Sequence, residues 1–467
     1  MFEKWAGEQA RSFVMLPPSG SYREYYRITG RTQTAIGAYN TDEKENEAFL
    51  EFSDHFIDKG LRVPEIYDRD NANRIYLQQD LGDVTLYGFM QGIRKGPDFP
   101  EELKCFYRKT LDQLIRFQVD GGEGMDYQKC YPRQAFDRQS MLWDLHYFKY
   151  YFLKLARVPF DEQALEDDYH RLIDYLLEVD QDYFLYRDFQ SRNVMVVEEE
   201  PWFIDYQGGR KGALQYDLAS LLYDAKADIP EDTRKELLDY YVAKLADFKT
   251  VDQKQFVNHF YGYVLIRIMQ AMGAYGFRGF YEKKEHFLKS IPYAIDNLNY
   301  LLTHSKFDVD LPTLFAALTN IVESEELKNI GQSNSMLTVS ITSFSYKRGI
   351  PVDISGNGGG FAFDCRAIHN PGRYPEYSDK TGKDEEVIAF FGKEPEMARY
   401  LQSVFALVDQ SVEKYMSRGF KHLMVNFGCT GGQHRSVYCA EQLSAHLLDT
   451  YKVQVELKHV EQEMKKR

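Results

Sequence analysis

The chain lacks the sequence patterns that mark several common protein classes. Its five cysteines fall in no C-x-x-C pair, which predicts free thiols. No Walker A motif and no G-x-G-x-x-G fingerprint occur, so neither a P-loop nor a Rossmann domain is expected. No apolar run reaches the roughly 18 residues of a membrane span, and the N-terminus opens no apolar signal region. These absences predict a cytoplasmic protein with no membrane partner.

Length and charge bound the architecture and the partners. A chain of 467 residues is too long for one ordinary hydrophobic core, so two or three structural units are expected. The formal net charge of −14 argues against a protein that coats nucleic acid over its whole surface. The net charge does not exclude a local basic patch on the surface.

The most informative part of the chain is residues 186–205. It begins YRDFQSRN, continues through the apolar run VMVV and ends in FID, with a predicted β-strand on each side of the polar connection. This layout suits phosphoryl transfer. Asp188 is the predicted base for an attacking hydroxyl, and Asn193 and Asp205 are predicted to supply hard oxygen ligands to Mg²⁺ on the nucleotide phosphates. The D-x4-N spacing alone arises often by chance, so the strand context carries the prediction.

Residues 216–222, with the sequence YDLASLL, have the pattern of a helix start. Asp217 stands where its carboxylate could accept hydrogen bonds from the free backbone N–H groups of the first turn. A structural, helix-capping role is therefore predicted for Asp217.

Together these motifs resemble those of the aminoglycoside phosphotransferase/choline kinase superfamily, and most of all its bacterial N-acetylmuramate/N-acetylglucosamine anomeric kinase branch. That branch reads R-D-[YF]-x-x-R-N-[LV]-M-V, then I-D-[FY]-Q, then Y-D-L-A-S-L-L, and every element is present here. The resemblance covers about residues 1–325. It implies an α/β (α+β) chain that opens with a protein-kinase-like two-lobe fold: a nucleotide-binding N-lobe at residues 1–95, and a C-lobe with the catalytic loop and substrate helices at residues 96–328.

The same resemblance implies ATP and Mg²⁺ as cofactors and places the adenine at the junction of the lobes. Its predicted contacts there are Gln79, Asp80 and Leu81. A kinase N-lobe usually carries a phosphate-binding lysine on its third strand, but residues 34–40 contain none. Arg23 is the predicted replacement for this lysine, and Arg27 and Arg31 are alternatives. The non-functional alternative is that these arginines are simply solvated.

The predicted acceptor contacts are Asp144, Arg192 and Gln207. Asp144 belongs to an aromatic cluster, residues 143–152, which resembles the E-x-x-L-F-x-x-W-F segment of the anomeric sugar kinases. Aromatic rings could stack on the C–H face of a pyranose while the carboxylate accepts its hydroxyls. An aromatic stripe at helical spacing is also typical of a hydrophobic core, and both interpretations stand at this point.

After residue 328 the composition changes. The polar stretch at residues 329–335 is typical of a linker, and a separate α/β domain is predicted at residues 336–467. There a strand runs into the Gly-rich sequence GCTGGQHRS and then into a helix, an arrangement that presents backbone N–H groups to an anion. Arg435 adds a guanidinium that can donate two hydrogen bonds to one anion, so a phosphate site is predicted at this loop.

This loop admits two interpretations. Cys429 and Arg435 satisfy C-x5-R-[ST], the cradle of cysteine-dependent phosphatases, although Gly428 stands where such enzymes have histidine. The longer pattern over about residues 336–467 resembles instead the RapZ C-terminal domain family of bacterial RNase adapters. That resemblance implies a domain that binds an amino-sugar phosphate. The phosphate contacts that it implies are Thr430, Gly431, Gly432, Arg435 and Lys347. It also implies RNA as a partner of the charged tail, residues 458–467, for which a solvated terminus is the alternative.

The sequence therefore predicts an ATP- and Mg²⁺-dependent kinase that phosphorylates a sugar or amino sugar. The predicted acceptor is the anomeric hydroxyl of N-acetylglucosamine or N-acetylmuramate, as in cell-wall recycling, and the C-terminal domain is predicted to bind a related amino-sugar phosphate. Two alternatives remain. One is a non-catalytic nucleotide or sugar-phosphate sensor, or an RNA-regulatory adapter; the other is phosphatase action at Cys429. The sequence leaves the oligomeric state open.

Overall fold

The computed structural model describes residues 1–17, 23–96, 98–330, 337–353, 359–417 and 420–465. The chain divides into two compact units, Met1–Gln332 and Ser333–Arg467. Most of the predicted linker, from residue 331 onward, lies outside the described residues, as do residues 466–467 of the charged tail. The first unit is called the kinase-like unit below, and the second the C-terminal unit.

The kinase-like unit opens with a five-stranded antiparallel sheet in the order β1-β2-β3-β5-β4. Its strands are β1 (Ser12–Met15), β2 (Glu24–Thr29), β3 (Thr34–Tyr39), β4 (Ile66–Asp70) and β5 (Ile75–Gln79). Helix α1 (Phe2–Ala6) precedes the sheet, and α2 (Glu43–Asp58) connects β3 to β4. Asp42 begins α2 by accepting the N–H groups of Lys44 and Glu45, both at 3.1 Å. The apolar face of α2 buries Phe49, Phe52 and Phe56 in the core of this unit.

The rest of the kinase-like unit is mainly helical. Its helices are α3 (Leu86–Ile93), α4 (Glu101–Gln118), α5 (Arg138–Phe148), α6 (Glu162–Leu176), α7 (Leu214–Leu222), α8 (Glu231–Leu245), α9 (Gln253–Tyr275), α10 (Glu285–Leu288), α11 (Ile291–His304), α12 (Pro312–Glu323) and α13 (Glu325–Lys328). Two short antiparallel pairs interrupt them: β6 (Tyr183–Leu185) with β9 (Arg210–Gly212), and β7 (Val194–Val197) with β8 (Glu200–Phe203). These two pairs carry the predicted catalytic residues.

The C-terminal unit contains a four-stranded parallel sheet in the order β11-β12-β10-β13. Its strands are β10 (Thr338–Ser345), β11 (Phe361–Asp364), β12 (His422–Cys429) and β13 (Gln454–His459). Its helices are α14 (Glu385–Gly392), α15 (Pro395–Ser417), α16 (Arg435–Thr450) and α17 (Val460–Lys465). Val339, Ile341, Val425 and Phe427 from the two central strands form part of a core separate from that of the kinase-like unit. A sheet of parallel strands buried by helices explains why these strands are so apolar.

The predicted fold class is confirmed. The antiparallel sheet followed by a helical body is the two-lobe arrangement that the resemblance implies, and a separate parallel α/β unit follows it. In that unit β12 leads through residues 430–434 into α16, which is the predicted strand, loop and helix. Within the described residues, no helix combines the length and the apolar character needed to cross a bilayer.

Candidate active site

The two short strand pairs of the helical body bring Asp188, Asn193 and Asp205 together. Asp188 lies three residues beyond β6, Asn193 closes a short 3₁₀ turn before β7, and Asp205 lies two residues beyond β8. The side-chain amide of Asn193 donates to the backbone oxygen of Asp188 at 2.8 Å and to Oδ2 of Asp205 at 3.2 Å. One amide therefore fixes the position of the loop and of the second carboxylate at once.

Asp205 is held in an environment that is costly for a carboxylate. Burial, followed by the nearby negative charge of Asp188, raises the pKa of Asp205, while a hydrogen bond from Gln207 works in the opposite direction. That bond runs from Nε2 of Gln207 to Oδ1 of Asp205 at 2.8 Å. The backbone of Asp205 has φ +70°, in the left-handed region, so the chain is bent sharply where this carboxylate is presented. Two close carboxylates in a protein interior call for a cation between them.

Asp217 has a different role from the predicted one, and the helix-capping prediction is wrong. Helix α7 begins after Ala213, whose side chain gives no cap, and Asp217 lies inside the first turn. Its fully buried carboxylate accepts the backbone N–H of Tyr186 at 2.7 Å and of Arg187 at 2.9 Å. Burial raises the pKa of Asp217 to about 7, against the two hydrogen bonds that lower it. Asp217 therefore anchors the loop that carries Asp188, residues 186–193, at the two positions immediately before Asp188. This loop is called the catalytic loop below.

Arg187 is buried beside the base and is paired with Asp144. Its guanidinium donates to both carboxylate oxygens of Asp144, at 2.8 and 2.7 Å, and to the hydroxyl of Tyr216 at 2.7 Å. Burial opposes the positive charge, but Asp144 more than offsets it, so the pKa of Arg187 stands above its ordinary value. Asp144, predicted as a sugar contact, is thus used here by Arg187, and its contact with a sugar stays a prediction.

A second chain of polar contacts joins the sheet to the active site. Arg23, just before β2, is 4% exposed and lies 3.2 Å from Oε1 of Glu45 on α2. The same oxygen of Glu45 accepts Nε2 of Gln207 at 3.2 Å, and Gln207 in turn reaches Asp205. Arg23 also lies over the Phe49 ring, 5.4 Å from its centroid. The solvated alternative is therefore wrong for Arg23, which forms a buried ion pair with a helix glutamate.

The other predicted nucleotide contacts lie at the end of β5. Gln79 is the last residue of that strand, and its backbone N–H donates to Glu65 at 2.8 Å. Asp80 accepts two hydrogen bonds from Arg27, at 2.7 and 3.0 Å, so the guanidinium of Arg27 is already paired with a carboxylate just beyond β5. The side chain of Leu81 is buried. Adenine binding by this segment stays a prediction.

Two residues with contacts at this site, Glu45 and Asp224, were not predicted from the sequence. Glu45 could have been found as a carboxylate in the first turn of the helix after the third strand, where kinases carry the glutamate that pairs with their lysine. Asp224 lies beyond α7, and its Oδ2 accepts the hydroxyl of Ser191 at 2.7 Å. No motif marks it. Arg192, the remaining predicted acceptor contact, has an exposed side chain and donates to Gln190 at 3.1 and 2.8 Å.

The donor set fits a magnesium ion held jointly with a nucleotide. Asn193 uses its amide nitrogen within the protein, and the carboxylate of Asp205 faces the negative charge of Asp188. Mg²⁺ prefers hard oxygen ligands, takes one or two from carboxylates and keeps the rest for phosphates and water. Among the residues that the structure describes, no group of three or more His, Cys, Asp or Glu side chains could hold a metal by itself. The set therefore suits an ion that arrives with phosphates.

The predicted phosphate loop of the C-terminal unit lies between β12 and α16. Cys429 is 3% exposed, and its sulfur accepts the N–H of Gly432 at 3.2 Å and lies 3.2 Å from the hydroxyl of Ser436. Gly432 has φ +65°, which favours glycine at this turn. The backbone oxygen of Thr430 accepts the hydroxyl of Ser345 at 2.7 Å. Here the thiol stabilises the loop from inside.

Arg435 is buried beneath the same loop. Its Nη1 donates to the backbone oxygens of Arg366 and Ile368 at 2.8 and 2.9 Å, whereas its buried Nε has no hydrogen-bond partner among the residues that the structure describes. Three other predicted contacts are exposed: Thr430, Gly431 and Lys347. A guanidinium has five N–H groups and Nη1 uses two of them here, so Nε and Nη2 keep donors beneath a loop with an exposed rim.

Two family models match the chain. The phosphotransferase enzyme family model matches residues 16–252, which is just over half of the chain, and the RapZ C-terminal domain model matches residues 337–463. The first match includes the two short strand pairs and Asp188, and the second includes the loop with Arg435.

Individual relatives match shorter parts. A nucleotide-binding protein of Fervidobacterium nodosum is 40% identical over 131 residues, which are 28% of this chain and 45% of that protein. Another from a Psychrobacter species is 33% identical over 178 residues, 37% of this chain and 54% of that protein. This chain thus spans about half the length of these curated relatives. Among solved structures, choline kinase LicA from Streptococcus pneumoniae superposes with a TM-score of 0.44 at 16% identity, covering 64% of this chain and 97% of that one.

Proposed function

Because the chain belongs to the phosphotransferase enzyme family, we propose that it is an ATP- and Mg²⁺-dependent kinase acting on a hydroxyl of a sugar or amino sugar. The observation that carries the proposal is the partly buried assembly of Asp188, Asn193 and Asp205, anchored by Asp217. A protein that only senses ligand has no physical need for two close carboxylates, one of them with a raised pKa.

In the proposed reaction the acceptor oxygen attacks the γ-phosphorus. A bond forms between that oxygen and phosphorus, the bond from phosphorus to the β–γ bridging oxygen breaks, and ADP leaves with its electron pair. Asp188 takes the proton of the attacking hydroxyl. The contacts of Asp217 and Arg187 fix the backbone on which Asp188 stands, so the base is positioned before the acceptor binds.

Asn193 and Asp205 would hold the Mg²⁺ ion, which supplies charge neutralisation for the transferring phosphates when it is bound. Arg23 would approach the phosphates in place of the missing lysine, oriented by Glu45 as a kinase lysine is oriented by its helix glutamate. Gln207 links Glu45 to Asp205, so the phosphate-binding and metal-binding side chains support each other's geometry.

Support for a sugar acceptor is chemical. Asp144 contacts Arg187, Gln207 contacts Asp205, and Arg192 lies in the loop between Asp188 and Asn193. They supply one carboxylate, one amide and one guanidinium, and α5 also carries the exposed ring of Trp143. Such a set matches the hydroxyls and the C–H face of a pyranose. The resemblance to anomeric kinases makes the anomeric hydroxyl of N-acetylglucosamine or N-acetylmuramate the first acceptor to test.

For the C-terminal unit we propose binding of an amino-sugar phosphate. Thr430 and Gly431 would offer exposed backbone N–H groups before α16, while Gly432, whose N–H is donated to Cys429, would shape the turn. Lys347 and the guanidinium of Arg435 would add charge. Titration calorimetry with glucosamine 6-phosphate tests this, with glucosamine as the uncharged-group control. Equal heats for both ligands would refute phosphate recognition.

The deciding experiment for the kinase measures ATP consumption against a panel of sugars and amino sugars with Mg²⁺ and identifies products by ³¹P NMR. A sugar 1-phosphate that forms with the native protein and not with Asp188→Asn supports the proposal. Product at another hydroxyl would keep the kinase and correct its regiochemistry.

The second candidate function is a non-catalytic sensor or RNA-regulatory adapter. It is favoured by the RapZ C-terminal domain match and by a third strand without lysine. A thermal shift with ATP and Mg²⁺ discriminates, because a ligand that binds only the folded state raises the melting temperature. No ATP-dependent shift, together with RNA retention on a native gel, would favour the adapter.

A further inference from the structure

A cavity of about 570 Å³ opens beside the catalytic loop of the kinase-like unit. It lies between the end of α3, the chain after α7 and the segment from α10 to α11. Its lining residues are Tyr87, Gln91, Arg94, Gly96, Lys226, Asp228, His286, Lys289, Ser290 and Tyr293. This cavity, called the basic pocket below, falls within the size range of small-molecule sites.

The charges that line the basic pocket are unbalanced. Arg94 donates to the backbone oxygens of Ala227 and Asp228 and lies 3.8 Å from the Asp228 carboxylate, so this cation and the one lining carboxylate offset each other. Lys226 and Lys289 make no hydrogen bond or ion pair through their ammonium groups within the described part of the chain. Two cations therefore face the cavity with no anion from the lining paired to them.

Lys226 is the more informative of the two, because it is half-buried. Burial, followed by the positive charge of Arg192, lowers its pKa, although Asp224 acts in the opposite direction. The pKa of His286 is lowered by burial and then by four surrounding cations, Lys226 and Lys289 among them. A partly desolvated lysine among other cations is unfavourable unless a ligand supplies the missing negative charge.

The basic pocket is connected to the catalytic loop by two short contacts. The backbone N–H of Lys226 donates to Oδ1 of Asp224 at 3.2 Å, and Oδ2 of Asp224 accepts the hydroxyl of Ser191 at 2.7 Å. Ser191 begins the turn that ends at Asn193. Lys226 is thus joined through Asp224 to the turn that follows Asp188, and the charge of Arg192 in that turn acts on it.

We propose that the basic pocket binds an anionic substituent of the acceptor, a carboxylate or a phosphate, with Lys226 and Lys289 as its counter-charges. This inference rests on the proposed kinase function and narrows its substrate class from sugars in general to acidic sugars. The amide of Gln91 and the rings of Tyr87 and Tyr293 line the same cavity and suit the hydroxyls and C–H face of the attached ring.

The test compares kcat/KM for N-acetylmuramate and for N-acetylglucosamine, two acceptors with the same ring that differ in a carboxylate-bearing group. In Lys226→Gln/Lys289→Gln, the preference for the acid should fall at least about tenfold, since a hydrogen bond to a charged group is worth about that factor or more. The conservative Lys226→Arg should retain most of the preference. Lys254→Gln removes an exposed lysine of α9 outside the pocket and is the matched control.

A phosphate is tested in the same way with N-acetylglucosamine 6-phosphate as the acceptor, because turnover reports only on the kinase-like unit. An unchanged preference in the double variant, an equal loss for charged and neutral acceptors, or a rise confined to the KM of ATP would each overturn the proposal while leaving the kinase intact.

If neither acceptor is phosphorylated, the kinase proposal fails for these sugars and the pocket is tested by binding alone. The full chain should then gain thermal stability with N-acetylmuramate, and the double variant should lose that gain while Lys254→Gln keeps it. A carboxylate probe avoids the proposed phosphate loop of the C-terminal unit. No shift in the native protein would overturn the anion pocket.

Discussion

The catalytic loop of the kinase-like unit and the loop before α16 are both held by a buried side chain that accepts backbone N–H groups, but the accepting groups differ. In each, a buried side chain accepts backbone N–H groups: Asp217 from Tyr186 and Arg187, and the sulfur of Cys429 from Gly432. The catalytic loop depends on a buried carboxylate whose pKa is raised to about 7. The C-terminal loop uses the sulfur of a buried cysteine in place of a carboxylate.

The difference extends to the neighbouring charges. In the catalytic loop the negative charge of Asp188 raises the pKa of Asp205, a repulsion that a bound cation would relieve. In the C-terminal loop the buried Arg435 already donates to two backbone oxygens. The kinase-like loop therefore brings two negative charges together, whereas the C-terminal loop holds one buried cation with part of its donors hydrogen-bonded. We accordingly predict chemistry at the first loop and ligand binding at the second.

The largest expected effect tests whether the catalytic loop does chemistry. Asp188→Asn keeps the size of the side chain and removes the proton acceptor, so kcat should fall by about 10³-fold, within the usual range for a general base. ATP binding, followed by thermal shift with Mg²⁺, should persist. Asp239→Asn, an exposed position on α8, is the matched control. Turnover above about a tenth of the native value in Asp188→Asn would remove Asp188 from the reaction.

The next effect tests the anchor of that loop. Asp217→Asn leaves only one oxygen for two backbone donors and turns an amide nitrogen toward the other, so unfolding should become easier by about 3 kcal/mol. Urea titration measures this loss. Because the loop carries Asp188, kcat should fall as well, even under conditions where the variant is fully folded.

The same carboxylate predicts a pH dependence of stability. With its pKa raised to about 7, Asp217 keeps its proton in the folded protein up to about pH 7, whereas the unfolded chain releases it near the ordinary aspartate pKa of 3.8. Between those values the folded state binds more protons, so each rise in pH favours unfolding. The native protein should therefore lose stability relative to Asp217→Asn from about pH 4 to about pH 7. Parallel stability curves for the two proteins would contradict a buried carboxyl with a raised pKa.

A smaller effect is expected from the buried cation of the C-terminal loop. Arg435→Met keeps the chain length but leaves the backbone oxygens of Arg366 and Ile368 without their donor, at a cost of about 2 kcal/mol in the stability of that unit. Arg366→Met removes an exposed guanidinium that pairs with Asp364 and should cost under about 1 kcal/mol. Similar losses for both would mean that burial of Arg435 contributes little. Affinity for glucosamine 6-phosphate should fall in Arg435→Met.

The sequence predicted the three central residues of the candidate site better than the residues that hold them in place. Asp188, Asn193 and Asp205 lie within 18 positions of one another, and short apolar runs fix the strands that bring them together. Glu45 and Gln207 are 162 positions apart, and Asp217 is 31 positions from Tyr186. Spacing in one sequence contains no information on such pairings, because they depend on how separate elements pack.

Local rules also explain the particular errors. The rule that an aspartate near a helix start caps that helix failed for Asp217, because the unsatisfied N–H groups of the preceding loop compete for the same carboxylate. A strand arginine is usually solvated, yet Arg23 is buried because Glu45 and Phe49 of α2 face it. In both cases a contact between distant elements outweighed the local preference.

The smallest expected effect decides between structure and chemistry at Cys429. A phosphatase nucleophile must reach its substrate, but this sulfur is 3% exposed and accepts the N–H of Gly432. A serine hydroxyl can accept the same hydrogen bond, so Cys429→Ser should change stability by no more than about 1 kcal/mol and leave glucosamine 6-phosphate affinity nearly unchanged. Hydrolysis of p-nitrophenyl phosphate should be no lower than in Cys105→Ser, which alters an exposed cysteine of α4. Phosphate release that is lost only in Cys429→Ser would make the thiol a nucleophile and end the contrast between the two loops.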